Sequence, residues 1–436
     1  MTKSTDLLAR RNAALGAGAP LFYEVPLHIV RGDGVHLYDA EGKRYVDMYN
    51  NVPCVGHANP RVVEAMARQQ ATLNVHSRYL HESVIAFAER LAGLHGSLDG
   101  PPIESVILSC SGTEANEVAL RMARFATGRR GILCSNATYH GNSELVGGLT
   151  RLGTQPSPDP SVRAFPFPET YRPIAPGLDA AALCDAYLAR LAAAIDSLQA
   201  SGDGVAALIV CSIFANEGLP DVPAGFMARA AEMVRAVGGL VIADEVQAGY
   251  ARTGHWWGYE VTGFAPDIVV TGKPMGAGLP LAATAASRAL VETFRGRTRY
   301  FNTFASSPLQ AAVGLAVLDE IEDRQLRANV SSVGAALKAA LIARKGASPA
   351  IGDVRGHGLF IGVEMVKPAD GAPGGPAPDM ELAKRMINRL KDKGFLTSNA
   401  GAFANVVKIR PPLVFSHDDA AQFLTAWDET VAELAA

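Results

Sequence analysis

Apolar positions along this chain fall into short, unalternated runs that end in small or polar residues, each followed by a stretch with helical spacing. Val106–Cys110 (VILSC) precedes the helical EANEVALRMARFAT, and Gly131–Ser135 (GILCS) follows it. Ala207–Ser212 (ALIVCS) and Gly239–Asp244 (GLVIAD) bracket FMARAAEMVRAV, and Asp267–Gly272 (DIVVTG) comes next. Strands that are apolar throughout, with helices between them, predict a mostly parallel sheet covered on both faces. Ahead of this region, GVHLYDAEGKRYVDM from Gly34 alternates around Glu41-Gly42 and predicts a β-hairpin. From about Asn59 to Leu94 the spacing is helical. From about Leu309 a helix leaves the sheet, and GLFIGVEMV and NVVKIRPPLVF belong to a smaller α+β domain. Thr154–Ser161 and Ala369–Pro378 are Pro/Gly-rich and read as surface loops. The expected fold is α/β: a doubly wound large domain over residues 53–307, a C-terminal small domain over 308–436, and an N-terminal segment, 1–52, contributing to the small domain.

Length and composition agree with two domains, since 436 residues exceed one ordinary module. With 48% hydrophobic and 19% charged residues the chain has apolar side chains enough for a large core, which excludes global disorder. A net charge of −3 without charge blocks argues against nucleic acid and anionic membranes as partners. No run approaches the ~18 apolar residues of a membrane span, and the first twenty residues lack the apolar core of a signal peptide. Five scattered cysteines with no C-x-x-C pair fit a reducing compartment and exclude a zinc ribbon or a disulfide scaffold. The expectation is a soluble, cytoplasmic protein without a metal site.

In open parallel sheets ligands sit outside the carboxyl ends of the strands. The residues there are Ser111-Gly112-Thr113, Asn136 to Gly141, Asn216-Glu217-Gly218, Asp244-Glu245-Val246-Gln247 and Thr271-Gly272-Lys273. Ser111-Gly112-Thr113 stands between a strand and a helix, where glycine and free N–H groups suit a phosphate, although ordinary helix capping gives the same pattern. It is neither a Walker A loop nor G-x-G-x-x-G, which demotes nucleoside triphosphates and dinucleotides. Asp244 ends the most apolar strand, so its carboxylate either meets a cation or reaches solvent at the strand tip. Lys273 directly follows VVTG; desolvated there it is a nucleophilic amine suited to a Schiff base, and solvated it is an ordinary loop lysine.

SGTEAN, YHG at Tyr139–Gly141, ADEVQ with GYARTG, and TGKPMGAG, in this order, resemble the class III (ω-type) pyridoxal-phosphate aminotransferases of fold type I. NVPCVGHANP, FNTF at Phe301 and KIRPPL extend the resemblance over nearly the whole chain. It implies that Lys273 holds pyridoxal 5'-phosphate as a Schiff base and then shuttles a proton. Asp244 would keep the pyridine nitrogen protonated, so that the ring accepts electrons. Ser111, Gly112 and Thr113 would take the phosphate, and Tyr139 would stack on the ring with His140 beside it. His140 is equally readable as a structural histidine. Val246 would pack the opposite face, and Gln247 would reach the ring hydroxyl with help from Asn216. Thr303 would contact the phosphate in the neighbouring subunit, which implies a homodimer.

Two positions depart from the resemblance. Where the family usually has Glu-Pro before the strand of Asp244, this chain has Cys211-Ser212, and its Arg position, three before the PP dipeptide, is Lys408, with Arg410 nearby. The Glu–Arg gate that lets one pocket take substrates with and without a carboxylate is therefore altered. Lys408 and Arg410 remain candidates for an anionic substrate group. YNNVPCVGHANP, SRYLHE and VKIRPPLVF are more similar to a subgroup containing phospho-lyases and aminophosphonate ammonia-lyases. The first expectation is an aminotransferase acting on a small anionic amine or amino acid and a 2-oxo acid; the alternative is a lyase that expels a β-substituent from an amino-phosphate or phosphonate.

Overall fold

The computed structural model describes residues 3–150, 155–368 and 376–435, without the side chains of residues 3–5 and 435. Thr154 and residues 369–375, parts of the two expected loops, lie outside the described residues.

The apolar runs become the centre of a seven-stranded sheet. In spatial order its strands are Ser105–Ser109, Ala282–Ala286, Ile268–Thr271, Leu240–Asp244, Val205–Cys211, Gly131–Ser135 and Val162–Phe165. The last five run parallel. Ala282–Ala286 is antiparallel to both its neighbours. Val205–Cys211 is buried at every position because helices cover both faces of the sheet. Gly112–Thr127 is one of those helices. Ser111 Oγ caps it by accepting from Glu114 N at 3.2 Å, and Gly128 ends it at φ 68°. Its inner face, Ala115, Val118, Ala119, Leu120, Met122 and Ala123, is buried. Such a cap stabilises a helix by about 1 kcal/mol and fixes where its free N–H groups point.

The hairpin forms as expected from His36–Asp39 and Arg44–Asp47, joined by Ile29–Asp33 on its outer edge. Its other edge pairs in parallel with Phe395–Leu396, so chain beginning and chain end share one sheet. A further antiparallel sheet contains Ile351–His357, Phe360–Met365, Val406–Ile409 and Ser398–Ala400. The stretch expected to be helical from about Asn59 to Leu94 is two helices, Pro60–Thr72 and Glu82–Gly93, each with its own side-chain cap. Pro308–Asp323 begins where a helix was expected to leave the large sheet. No helix among the described residues is long and apolar enough to cross a membrane.

Candidate active site

The carboxyl ends of the parallel strands open into a cavity of ≈ 330 Å³, with Ser111, Gly112, Thr113, Tyr139, His140, Asn216, Asp244, Val246, Gln247 and Lys273 in its wall. Ten of the candidate positions thus meet in one place. Thr303, Lys408 and Arg410 are not in this wall. Thr303 is exposed in the turn before Pro308–Asp323, and Lys408 and Arg410 are buried at the end of Val406–Ile409.

One side of the cavity is built by the large sheet with the helix Gly112–Thr127 and the loop of His140. Asp244 is only 5% exposed, yet its carboxylate faces the cavity. Its Oδ1 accepts from Val246 N at 3.0 Å; its Oδ2 meets His140 Nδ1 at 2.6 Å and accepts from Asn116 Nδ2 at 3.0 Å. Asn116 also donates to the His140 carbonyl at 2.9 Å and so ties helix, loop and strand end together. Asn116 is not among the candidate residues of the sequence. Its signal was a polar residue on the buried face of an amphipathic helix, a turn beyond Gly112. Lys273 begins the turn after Ile268–Thr271 and stands open to the cavity while protein surrounds it. Burial pushes its proton affinity down, the Arg410 charge adds to this, and Asp244 and Cys211 oppose it. This is the direction that frees an amine for nucleophilic attack.

The other side draws on the C-terminal sheet. Arg410 is buried, with Nε donating to Tyr49 O at 3.0 Å and Nη1 making a short hydrogen bond to Gln247 Oε1. Gln247 Nε2 donates to Asn216 Oδ1 at 3.0 Å, and Asn216 Nδ2 to Tyr139 O at 3.1 Å. One hydrogen-bonded file therefore runs from the C-terminal sheet across the cavity wall. Gly401 N donates to Asn216 O at 3.1 Å, and Arg355 Nε to Gly218 O at 2.9 Å, so the same sheet also grips the loop that carries Asn216. Lys408 Nζ stands 5.3 Å from the Tyr49 ring centre. Cys211 lines the cavity, and burial, with Asp244 and Glu217 nearby, raises its thiol well above the usual range. It is a neutral group where the resemblance has an acid.

Three features fit pyridoxal phosphate. The helix Gly112–Thr127 begins in the cavity wall, and its first N–H groups have no partner within the helix. The wall there admits no side chain: a Cβ on Gly112 would come within 2.9 Å of Val246 Cγ2, and one on Gly141, at φ +147°, within 2.5 Å of Thr113 Oγ1. The same wall holds the apolar Val246 and the Tyr139 ring together with an acid, Asp244, and an amine, Lys273. A flat ring with a cationic nitrogen, a phosphate and a carbonyl carbon matches that donor set. Among the described residues no group of His, Cys, Asp and Glu could hold a metal.

Comparison with known proteins points the same way. The family "Aminotransferase class-III" matches residues 20–431. The chain is 35% identical over 439 residues to an alanine–glyoxylate aminotransferase 2-like protein of Drosophila melanogaster, covering 98% of this chain and 86% of the relative. It is 30% identical to ethanolamine-phosphate phospho-lyase homolog 1 of Caenorhabditis elegans, covering 98% and 93%. Among solved structures, a phospholyase from Arthrobacter in complex with phosphoethanolamine superposes with a TM-score of 0.92 at 42% identity, covering 98% and 99%. The chain belongs to the class III aminotransferases, pyridoxal-phosphate enzymes of fold type I.

Proposed function

We propose that this protein is a lyase within that family. It would remove phosphate from a small primary amine bearing a phosphate on the neighbouring carbon, the class to which phosphoethanolamine belongs. The observation that carries this reading is the composition of the cavity wall. Lys273 is its only lysine or arginine among the described residues, and the Arg410 fork is engaged by Tyr49 O and Gln247. Transfer to a 2-oxo acid calls for a fork that binds a carboxylate in each half-reaction, whereas elimination needs one substrate and no acceptor. The 42% identity to the Arthrobacter phospholyase supports the same choice.

In this reading Gly112 and Thr113 N–H groups, with the Ser111 cap, hold the cofactor phosphate, and Asp244 holds the proton on the ring nitrogen. Val246 and Tyr139 would hold the ring, and Gln247 and Asn216 would serve its hydroxyl. Pyridoxal phosphate supplies the electron sink for the pair left when a proton leaves the carbon bearing the amine. Lys273, an amine of lowered basicity, would take that proton. The bond between the adjacent carbon and the phosphate oxygen then breaks, and the electron pair leaves with inorganic phosphate. Water completes the balance: a 2-aminoalkyl phosphate and water give an aldehyde, ammonia and phosphate, with nothing oxidised or reduced overall.

A homodimer belongs to the reading. His76, Arg78 and Phe301 pack together at the surface, with Phe301 5.6 Å from His76 and Arg78 4.2 Å from the Phe301 ring. Tyr79, Leu80 and Phe304 are exposed beside them in sequence, Leu80 by 95%. An apolar surface of this kind next to Thr303 suits a second copy and a Thr303 contact to that copy's cofactor phosphate. The division at residues 52 and 307 and a cytoplasmic location complete the proposal, the latter resting on five unpaired cysteines.

Aminotransfer is the second reading, favoured by the 35% identity to the Drosophila protein. Incubating the yellow enzyme with phosphoethanolamine and no oxo acid separates the two. Continuous release of phosphate and ammonia is expected. A single stoichiometric conversion to the pyridoxamine form, relieved only by an oxo acid, would instead establish aminotransfer.

A further inference from the structure

Behind the His140–Asp244 pair lies a second acid that the proposed reaction leaves unused. Glu217 stands in the loop after Val205–Cys211 and is 3% exposed. Its Oε1 accepts a short hydrogen bond from Ser135 Oγ, and its Oε2 has no partner among the described residues. The Thr138 side chain faces the same carboxyl and meets His140 Nε2 at 2.8 Å. His140 Nδ1 in turn meets Asp244 Oδ2 at 2.6 Å. The file therefore reads Glu217, Thr138, His140, Asp244, and its last member lines the cofactor cavity.

A hydroxyl can donate one proton while accepting another, so this file has two self-consistent arrangements. In the first, His140 carries protons on both nitrogens, Nε2–H donates to Thr138, and the Thr138 hydroxyl donates to a Glu217 carboxylate. In the second, Glu217 carries the proton and donates to Thr138, whose hydroxyl turns to donate to a bare Nε2. The two differ in where one proton resides, and a small turn of the Glu217 carboxyl, whose Oε2 is unpartnered among the described residues, brings it to the Thr138 hydroxyl. Burial disfavours the Glu217 carboxylate and outweighs the help of Ser135 and Thr138, which keeps the second arrangement within reach. The other ionisable groups around Glu217 are the Cys134 and Cys211 thiols and Arg355, which reaches the Gly218 carbonyl.

We propose that Glu217 and His140 share one proton through the Thr138 hydroxyl, so that Glu217 is a positioning residue that sets the charge presented to Asp244. With the proton on His140, Asp244 faces a cation and yields less of its own charge to the ring nitrogen. With the proton on Glu217, Asp244 faces a neutral imidazole and holds the ring proton more firmly. The consequence for turnover rests on the proposed role of Asp244; the sharing itself does not.

The test follows His140 in the full chain by nitrogen NMR, with and without pyridoxal phosphate, its signal identified by loss in His140→Gln. Glu217→Gln keeps the shape of the site but cannot form a carboxylate. It should lower the His140 titration midpoint by about one pH unit, the scale of losing a nearby opposite charge. Thr138→Val cuts the route and keeps both acids, and should give a shift in the same direction. An unchanged midpoint in Glu217→Gln overturns the proposal, and an unchanged midpoint in Thr138→Val overturns the route through the hydroxyl. If Asp244→Asn turned over normally while these shifts were seen, the role of Asp244 would fail and the shared proton would stand.

Discussion

The two walls of the cavity are built on different principles. Asp244, His140, Asn116 and Lys273 are placed by one sheet and one helix, within a continuous hydrophobic core. Gln247 and Asn216 are held from outside that sheet, by Arg410, Gly401 and Arg355 of the C-terminal strands. The first wall is set by covalent neighbours of strand ends, so it survives as long as the large sheet does. The second depends on the C-terminal sheet keeping its place against the large one.

Substitutions can separate the two. The largest loss is expected from Lys273→Ala, which removes both covalent attachment and proton transfer. Turnover should fall by at least about 10⁴-fold, and borohydride treatment of the holoenzyme should no longer fix the cofactor to the chain. Cofactor still attached after reduction would place the reactive amine on another lysine. Next comes Asp244→Asn, in which an amide replaces the anion proposed to hold the ring proton. A loss of about 3 kcal/mol in kcat/KM is expected, with binding of the cofactor retained by absorbance. Near-normal turnover would make Asp244 a structural strand end.

A smaller effect is expected on the second wall. Arg410→Met removes a positive charge that lowers the proton affinity of Lys273, and frees Gln247. The sign follows: Lys273 should hold its proton more tightly, and the acid limb of the pH profile of kcat/KM should move to higher pH. A drop of about tenfold at neutral pH is expected, with Arg410→Lys restoring the limb but not the Gln247 fork geometry. A limb that stays in place in Arg410→Met would show that the two walls are not electrostatically coupled.

The smallest effect concerns stability. Glu245, beside Asp244 but turned away from the cavity, accepts from Ser212 Oγ at 2.5 Å, Gly258 N at 2.7 Å and Tyr259 N at 3.0 Å. Burial nevertheless raises its proton affinity from 4.5 to about 7. The folded state therefore gains stability from the protonated acid below pH 4.5, and that gain is lost as pH rises through 7. Between pH 6 and pH 7 the loss from this group is about 1 kcal/mol. Urea unfolding of wild type against Glu245→Gln measures it as a difference in slope with pH. Equal slopes would mean that Glu245 is charged throughout.

The first wall was legible in the sequence where a group ends an apolar run or directly follows one, as Asp244 and Lys273 do; Asn116, inside the helix Gly112–Thr127, was not. Strand ends of a parallel sheet can be read directly from where hydrophobic residues stop. The second wall was not, since Arg410 and Gln247 lie 163 residues apart and nothing local announces their pairing. Ala282–Ala286 was not legible either, because AATAA has a single β-branched residue, Thr284, and none of the aromatics that mark strands. The break between Pro60–Thr72 and Glu82–Gly93 escaped notice for a similar reason. No Pro or Gly interrupts LNVHSRYLH, and the second helix begins from a side-chain cap on His81.

The parallel pairing of Phe395–Leu396 with Val46–Asp47 has a consequence for biosynthesis. A ribosome adding about 5–20 residues per second needs roughly 20–70 s to travel from one of these strands to the other. Throughout that interval the hairpin of residues 36–47 has an open hydrogen-bonding edge and no partner to close it. The large sheet, complete once Ala286 is made, can fold meanwhile. The newborn chain thus carries a finished half and an unsealed edge together, and this edge is where a chaperone has most to shield and where a truncated chain would first stick to its neighbours.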